Sequence, residues 1–432
     1  MLLFFLCACV TADPPWTEDA GSADLGCLGA ACGLADGATP DRPARICDAR
    51  SYGARGDGRT KDTAALQAAI NDCATTGGTV VLRDGTFLSG TIRLKSNLTL
   101  RITPTATLLG SQSAADYPDT NPPLQNSQLS NCKKALIYAE GVDQVWIEGG
   151  GTITGNARGV GSWNGNQIKE ALRPMAIFTA GATHVTVQDL TVRDAATWAV
   201  VHMEVDYLTI RGLTVSTDLG ATHDGIDVVD GHHVLIEDCV VQSGDDSICL
   251  KSGSQRGTRD VLVRRCRTLQ SGVANGVKFG TASVGSFRRI LIEDVTIEHA
   301  QAAAMAVESV DGAAIADVTF RRITVRDVGT PFFVLLGSRD RDPAQVGSLA
   351  RVTFEDIRGT AMRYAWGAIV TGTLLDGPLR LVPARERIDT GWWDERGLAR
   401  DYFIARTTRG SRLWVYKELD GEQRWRLHGV FE

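Results

Sequence analysis

Val234-Leu235-Ile236-Glu237-Asp238-Cys239-Val240-Val241 is one copy of a phrase that the chain repeats. Val185–Val192 and Leu208–Val215 precede it, and Val261–Arg267, Ile290–Ile297, Val318–Val325 and Val352–Ile357 follow. Successive copies start 23, 26, 27, 29, 28 and 34 residues apart. Each copy alternates apolar and polar residues over a length too short for a helix, which predicts a strand. A recurring period of about 20–50 residues marks a solenoid. Short strands with glycine turns and no helical segment make it all-β, a right-handed parallel β-helix. One repeat is then one coil, with neighbouring coils about 4.8 Å apart. Residues one period apart lie nearly on top of each other.

Working outward from the phrase, the connections on both sides of Val234–Val241 hold the chemistry. Thr222-His223-Asp224-Gly225-Ile226-Asp227 comes before it and Ser243-Gly244-Asp245-Asp246-Ser247-Ile248-Cys249-Leu250-Lys251 after it. The two stretches together hold four aspartates, beside glycine or small polar residues. Asp224 and Asp245 are 21 residues apart, close to one period, so Asp224 is expected beside Asp245 and Asp246 on the next coil. Aspartate ladders are common at turns, where they cap backbone groups. Two adjacent aspartates stacked on a third are poor ladder material because like charges repel. The grouping therefore points to a functional carboxylate cluster.

The chain has 432 residues, 43% hydrophobic, with 46 glycines and 6% aromatics, which suits a solenoid better than a compact globule. A net charge of −6 gives no basic footprint for nucleic acid. It leaves an anionic polymer open as a substrate, because a cleft can be locally basic. Residues 1–12 read as a signal-like apolar segment, too short to span a membrane. Leu6-Cys7-Ala8-Cys9 within it resembles a lipoprotein cleavage box with Cys9 as the lipidated residue. Residues 13–44, rich in Gly, Ala, Asp and Pro, read as a linker. Thr60 to Cys73 is predicted to be an amphipathic helix, with Ala64, Leu66, Ala69 and Ile70 apolar, capping the open end of the solenoid. The solenoid domain spans 45–375. Residues 376–432 form a tail without the coil repeat.

None of the ten cysteines is in a paired CxxC arrangement, so a zinc site is not expected. Cys27–Cys32 and Cys47–Cys73 are both candidate disulfides, and spacing does not choose between them. Cys239, Cys249 and Cys266 read as small buried hydrophobes of the coils.

Residues 50–357 resemble glycoside hydrolase family 28, the polygalacturonase and rhamnogalacturonan hydrolase family. The likeness rests on Gly56-Asp57-Gly58, Asp62-Thr63-Ala64, Gly77-Gly78, Leu94–Asn97, Leu109-Gly110-Ser111, Arg173-Pro174 and Trp198–His202. The family's Asn-Thr-Asp motif stands here as Thr222-His223-Asp224, and its Gly-Asp-Asp motif as Gly244-Asp245-Asp246. The resemblance implies an inverting hydrolase of a pectic polysaccharide that needs no metal or other cofactor. Asp245 would be the general acid, with Asp224 and Asp246 holding and deprotonating the attacking water. Two departures bear on the substrate. The family's Gly-His-Gly is replaced by Ala274-Asn275-Gly276-Val277-Lys278, and its Arg-Ile-Lys by Ala304–Glu308. Lys278 would then supply the cation, Asn275 a hydrogen bond and Glu308 an acceptor for a neutral sugar's hydroxyls. His202 and His223 are placed near the cleft, His223 at one remove because a strand neighbour of Asp224 points to the other face. Trp163 and Trp198 are candidates for stacking on sugar rings.

Residues 378–432 resemble the C-terminal end of a bacterial Y-family-polymerase-like mutagenesis protein, in Glu386–Asp394, Arg400–Ala405 and Arg424–Phe431. That protein's catalytic region is absent, so no DNA function follows. The expected partner is a pectic polysaccharide or oligosaccharide, with no nucleic acid, no membrane contact beyond a lipid on Cys9, and a monomeric chain outside the cytoplasm. A β-helix that binds carbohydrate without cleaving it is the alternative reading. The missing Gly-His-Gly and Arg-Ile-Lys favour it; the complete set of three aspartates opposes it.

Overall fold

The computed structural model describes residues 45–120, 122, 133–158, 173–220, 222–338 and 346–360. It also describes the backbone of strands at 368–371, 380–390, 398–406, 412–418 and 425–431. The signal-like segment, the linker, Cys9, Cys27, Cys32 and Trp163 lie outside these residues.

The chain winds as a parallel solenoid with three strands to a coil. In one coil these are Val200–Met203 on what is here termed the open face, Asp206–Arg211 on the second and Thr214–Thr217 on the third. The repeated phrase covers the second and third faces. Val185, Leu208, Val234, Val261, Ile290, Val318 and Val352 stand opposite one another in successive strands of the second face. All seven are buried inside the solenoid. Each such side chain is worth about 1.5–3 kcal/mol on removal from water. That is why an alternating pattern fixes which side of every strand turns inward.

The corner between second and third faces is built the same way in each regular coil. Asp189-Leu190, Gly212-Leu213, Asp238-Cys239, Arg265-Cys266 and Asp294-Val295 make it in turn. The first residue is left-handed at every one, with φ between 50° and 62°. Gly212 adopts this freely, and aspartate tolerates it through its short polar side chain. The second residue turns inward and is buried each time. Cys239 and Cys266 are thus corner hydrophobes, as their sequence context implies.

Stacking begins before the regular repeats, with Ile46–Asp48 pairing in parallel with Thr79–Val81. The capping helix runs Thr63–Cys73, three residues shorter than predicted. Asp57–Lys61 is a strand that pairs with the next coil, so the helix cannot start earlier. Leu66, Ala69, Ile70 and Cys73 are buried, whereas Ala64 is exposed. Of the two candidate disulfides, Cys47–Cys73 forms and ties the helix end to the first strand. Parallel stacking on the open face continues to Ala368–Thr371. Beyond it, Arg380–Thr390, Leu398–Arg406, Arg412–Glu418 and Trp425–Phe431 form a separate four-stranded antiparallel sheet.

Candidate active site

On the open face, Ile226–Val229, Ile248–Ser252, Val277–Ser283 and Ala303–Ser309 lie side by side. The turn preceding each strand carries the site. Backbone bonds from Gly225 N to Asp246 O (2.9 Å) and from Ser247 N to Asn275 O (3.0 Å) set Asp224, Asp246 and Asn275 one above another. Asp224 therefore stacks on the Asp245–Asp246 pair, as the period requires. The coils approach closely at two glycines. A Cβ on Gly244 would sit 2.1 Å from Gly220 O, and one on Gly225 would sit 2.4 Å from Val241 Cγ1.

Asp224 and Asp246 are buried, while Asp245 keeps partial access to solvent. Asp245 Oδ2 accepts from Thr222 N at 2.8 Å, and its Oδ1 accepts from Asp246 N at 3.0 Å. Thr222 presents that N–H from a left-handed conformation, φ 64°, a strain of the kind found at functional turns. Asp246 Oδ1 accepts from Asn275 N (3.1 Å) and Asn275 Nδ2 (2.8 Å), while its Oδ2 lies 3.1 Å from Lys278 Nζ. Asn275 Oδ1 in turn accepts from Ala303 N at 3.1 Å, so the amide bridges three coils. Lys278 Nζ is also 3.9 Å from Glu308 Oε1. Burial would lower the Lys278 amine, but Asp246 and other neighbours lift it above its usual value. Burial raises Glu308.

A second cation lies deeper. Val201, Asp227, Cys249 and Lys278 share one register on this face. Lys251 stands two residues beyond Cys249, on the same side of its strand. Its Nζ is 2.8 Å from Asp227 Oδ1, 3.1 Å from Asp224 Oδ2 and 2.9 Å from Cys249 Sγ. The Trp198 ring centroid is 4.6 Å away. Asp224, Asp227 and Cys249 bring ligand atoms within 4.8 Å of one another, a spacing a metal would accept. The lysine ammonium already lies against all three. Burial, then Asp227, pushes the Asp224 carboxyl well above its usual range, with Lys251 opposing. Asp227 is pushed up to about 6, again by burial against the pull of Lys251. Burial alone would lower the Lys251 amine, but Asp227, Cys249 and Asp224 outweigh it and lift it well above its usual value.

The structure thus gathers Asp224, Asp245, Asp246, Asn275, Lys278 and Glu308 at one place. His223 lies beside them, buried, with its Nδ1 3.2 Å from Gly220 O and its carbonyl accepting from Gly244 N and Asp245 N. It shapes the turn. His202 is elsewhere. It pairs with Val228, which pairs with Leu250, both inside the solenoid. It is fully buried, with Nδ1 2.6 Å from Thr179 Oγ1, and burial pushes its pKa down to about 3. Its side chain turns into the solenoid with those of Val228 and Leu250, on the other side of the strand from Val201, and does not join the carboxylates. Cys249 is buried as expected but faces the site rather than the core: Sγ lies 3.0 Å from Gly280 O and 3.9 Å from Asp246 Oδ2. Trp198 carries the Lys251 ammonium on its ring. Asp227 and Lys251 stand within the two quoted stretches, yet nothing in their immediate sequence assigns either a role. The alternation Asp227-Val228-Val229 against Cys249-Leu250-Lys251 was the available signal.

Residues 74–371 match the pattern of the glycosyl hydrolases family 28. The chain is 25% identical over 305 residues to a probable polygalacturonase of Vitis vinifera, covering 66% of this chain and 61% of that one. It is 27% identical over 255 residues to the exo-poly-alpha-D-galacturonosidase of Dickeya chrysanthemi, covering 48% and 42% respectively. It therefore spans less than two thirds of either relative. Among solved structures it resembles a hyperthermoactive exopolygalacturonase from Thermotoga maritima, with a TM-score of 0.63 and 21% identity, covering 76% of this chain and 84% of that one. That likeness carries the fold. With its coils, its stacked aspartates and a match over most of its length, the chain belongs to glycosyl hydrolase family 28.

Proposed function

We propose that this chain hydrolyses glycosidic bonds of a pectic polysaccharide or its oligomers by direct attack of water, with inversion. The observation that carries the reading is the contrast within the stack. Asp224 and Asp246 are buried and bonded to lysines, whereas Asp245 alone of the three reaches solvent. Asp245 is the general acid that protonates the leaving oxygen. Asp224 and Asp246, on the neighbouring turn positions, hold the water and accept its proton. Two polygalacturonase-type relatives support a pectic substrate. The Lys278–Glu308 pair offers a donor and an acceptor to sugar hydroxyls at the edge of the stack.

The disulfide Cys47–Cys73 supports a location outside the cytoplasm, where such bonds persist. The tail's resemblance to the mutagenesis protein rests on sequence alone and adds no activity to this reading.

The test is reducing-sugar release from polygalacturonan and rhamnogalacturonan, with the anomer of the first product followed by NMR. Inverted product from wild type, and none from Asp245→Asn, is the expected result. Retained configuration, or full turnover by Asp245→Asn, would overturn the assignment.

A further inference from the structure

We propose that Lys251 is a positioning residue of the reaction: its ammonium, clamped by Asp227, holds Asp224 as the carboxylate that takes the proton of the attacking water. The inference rests on the hydrolase reading above and adds two residues that reading does not use.

The geometry is that of a built counter-ion. Lys251 Nζ has three anionic or polarisable partners within 3.1 Å, and both it and they are buried. The Trp198 ring lies against the same nitrogen, and an ammonium over an indole face is attracted to it. A lysine that served packing alone would not need three such partners and an aromatic face. Asp227 has no exposed surface, so it cannot meet substrate; its carboxylate faces Lys251 instead. Lys251 in turn reaches back one coil to Asp224, the carboxylate stacked on the acid pair. Without this charge, Asp224 would face Asp227, Asp245 and Asp246 in a dry setting, and like charges there favour the protonated acid, which is no base. Among the described residues, the other charged groups at the cluster are Lys278 and Glu308, on the two coils beyond, and Arg173, whose guanidinium donates to Thr222 Oγ1 beside Asp245. Lys278 lies against Asp246 and balances its charge, and Glu308 approaches the same ammonium.

The arrangement makes two opposite forecasts for the acidic limb of kcat/KM, which reports the base of the free enzyme. Removing the cation in Lys251→Met disfavours ionised Asp224 and moves the limb up by about one pH unit or more. Activity should then fall roughly tenfold near pH 5 and recover toward wild type at higher pH. Removing the competing carboxylate in Asp227→Asn moves the limb down, because Lys251 then serves Asp224 alone. Lys251→Arg keeps the charge and the limb in place.

The measurement is the pH profile of pectic-oligosaccharide hydrolysis for wild type and the three variants, with circular dichroism to confirm folding. Opposed shifts for Lys251→Met and Asp227→Asn support the proposal. A loss that is even across pH with the limb unmoved would mean that Lys251 only braces the fold, and would overturn it. Should Lys251→Met fail to fold, Asp227→Asn decides: a downward shift supports the idea, and an upward or absent shift sinks it. Absence of turnover in wild type would instead remove the hydrolase reading and this inference with it.

Discussion

Climbing the corner side of the second face, coil by coil, the side chains run Arg211, Glu237, Arg264, Glu293, Arg321, Glu355. Climbing the open face at its turn, they run Asp224, Asp246, Asn275. Both columns have the same spacing, because both come from stacked coils. In the first, sign alternates at each step, and Glu237 lies 2.5 Å from Arg211, 2.7 Å from Arg264 and 2.6 Å from Arg265. Burial would raise Glu237, but the hydrogen bonds from these arginines override it and hold it below its ordinary value. In the second column, like charges meet, burial wins, and the Asp224 carboxyl is pushed up, as is that of Asp227 beside it. One stacking geometry thus yields a brace where signs alternate and a crowded carboxylate cluster where they do not. The cluster is tolerable because Lys251 and Lys278 enter from other register positions on the same face.

The comparison breaks hardest under exchange of function. Asp245→Asn should lower turnover by about 10²–10⁴-fold, the range for loss of a general acid, with stability nearly unchanged. Glu237→Gln should leave turnover alone. A drop in activity for Glu237→Gln, at a temperature where the protein stays folded, would mean that the brace and the cluster are not separable.

A middle-sized effect concerns acid stability. Asp227 binds its proton more tightly in the folded chain, with a value near 6 against an ordinary 3.8. Between those values the native state holds more protons than the unfolded one, so stability should fall as pH rises from about 4 to about 6, by on the order of 2–3 kcal/mol. Lys251 stays charged throughout that window. Asp227→Asn should abolish this part of the slope. Urea unfolding at pH 4, 5 and 6 measures it, and an unchanged slope would refute the assignment.

The smallest effect belongs to the brace. Glu237→Gln should cost about 1 kcal/mol at neutral pH, since its arginine partners are partly exposed and screened. Glu237 is depressed, so its contribution is present above the unfolded carboxylate value and lost as pH falls through the folded one. The difference between wild type and variant should shrink in acid and in high salt. Salt-independent destabilisation would point to packing instead.

What the sequence told, and what it hid, follows from these same columns. The coils were readable because inward positions such as Val185, Leu208 and Val234 alternate with polar ones. The stacking of Asp224 on Asp246 followed from the period alone. The direction of His202 is hidden in the sequence because Val200-Val201-His202-Met203 is apolar on both sides of the strand, leaving no alternation to show which way a residue points. Its register partners Val228 and Leu250 decide the matter. Lys251 was passed over for the opposite reason: a lysine in a strand reads as solvated until its three-dimensional neighbours are known. Cys249 looked like its corner counterparts Cys239 and Cys266, though it lies on the open face. The antiparallel tail carries no period for such a reading to use.

The two-residue corner between second and third faces has a consequence for how this scaffold can change. From Asp189-Leu190 to Asp294-Val295 it never varies in length, while the connections on either side of the open-face strands do: Leu219–Gly225 lies within a longer turn than Gly244–Ser247. Variation is therefore admitted at the ends of the open-face strands, the carboxylate-bearing end among them, and is shut out where the arginines and glutamates interlock. An engineer who grafts new loops before Ile226, Ile248 or Val277 works where the chain already tolerates insertions. One who inserts a single residue at Asp238-Cys239 would push Val240–Ser243 out of step with the third-face strands on either side of it.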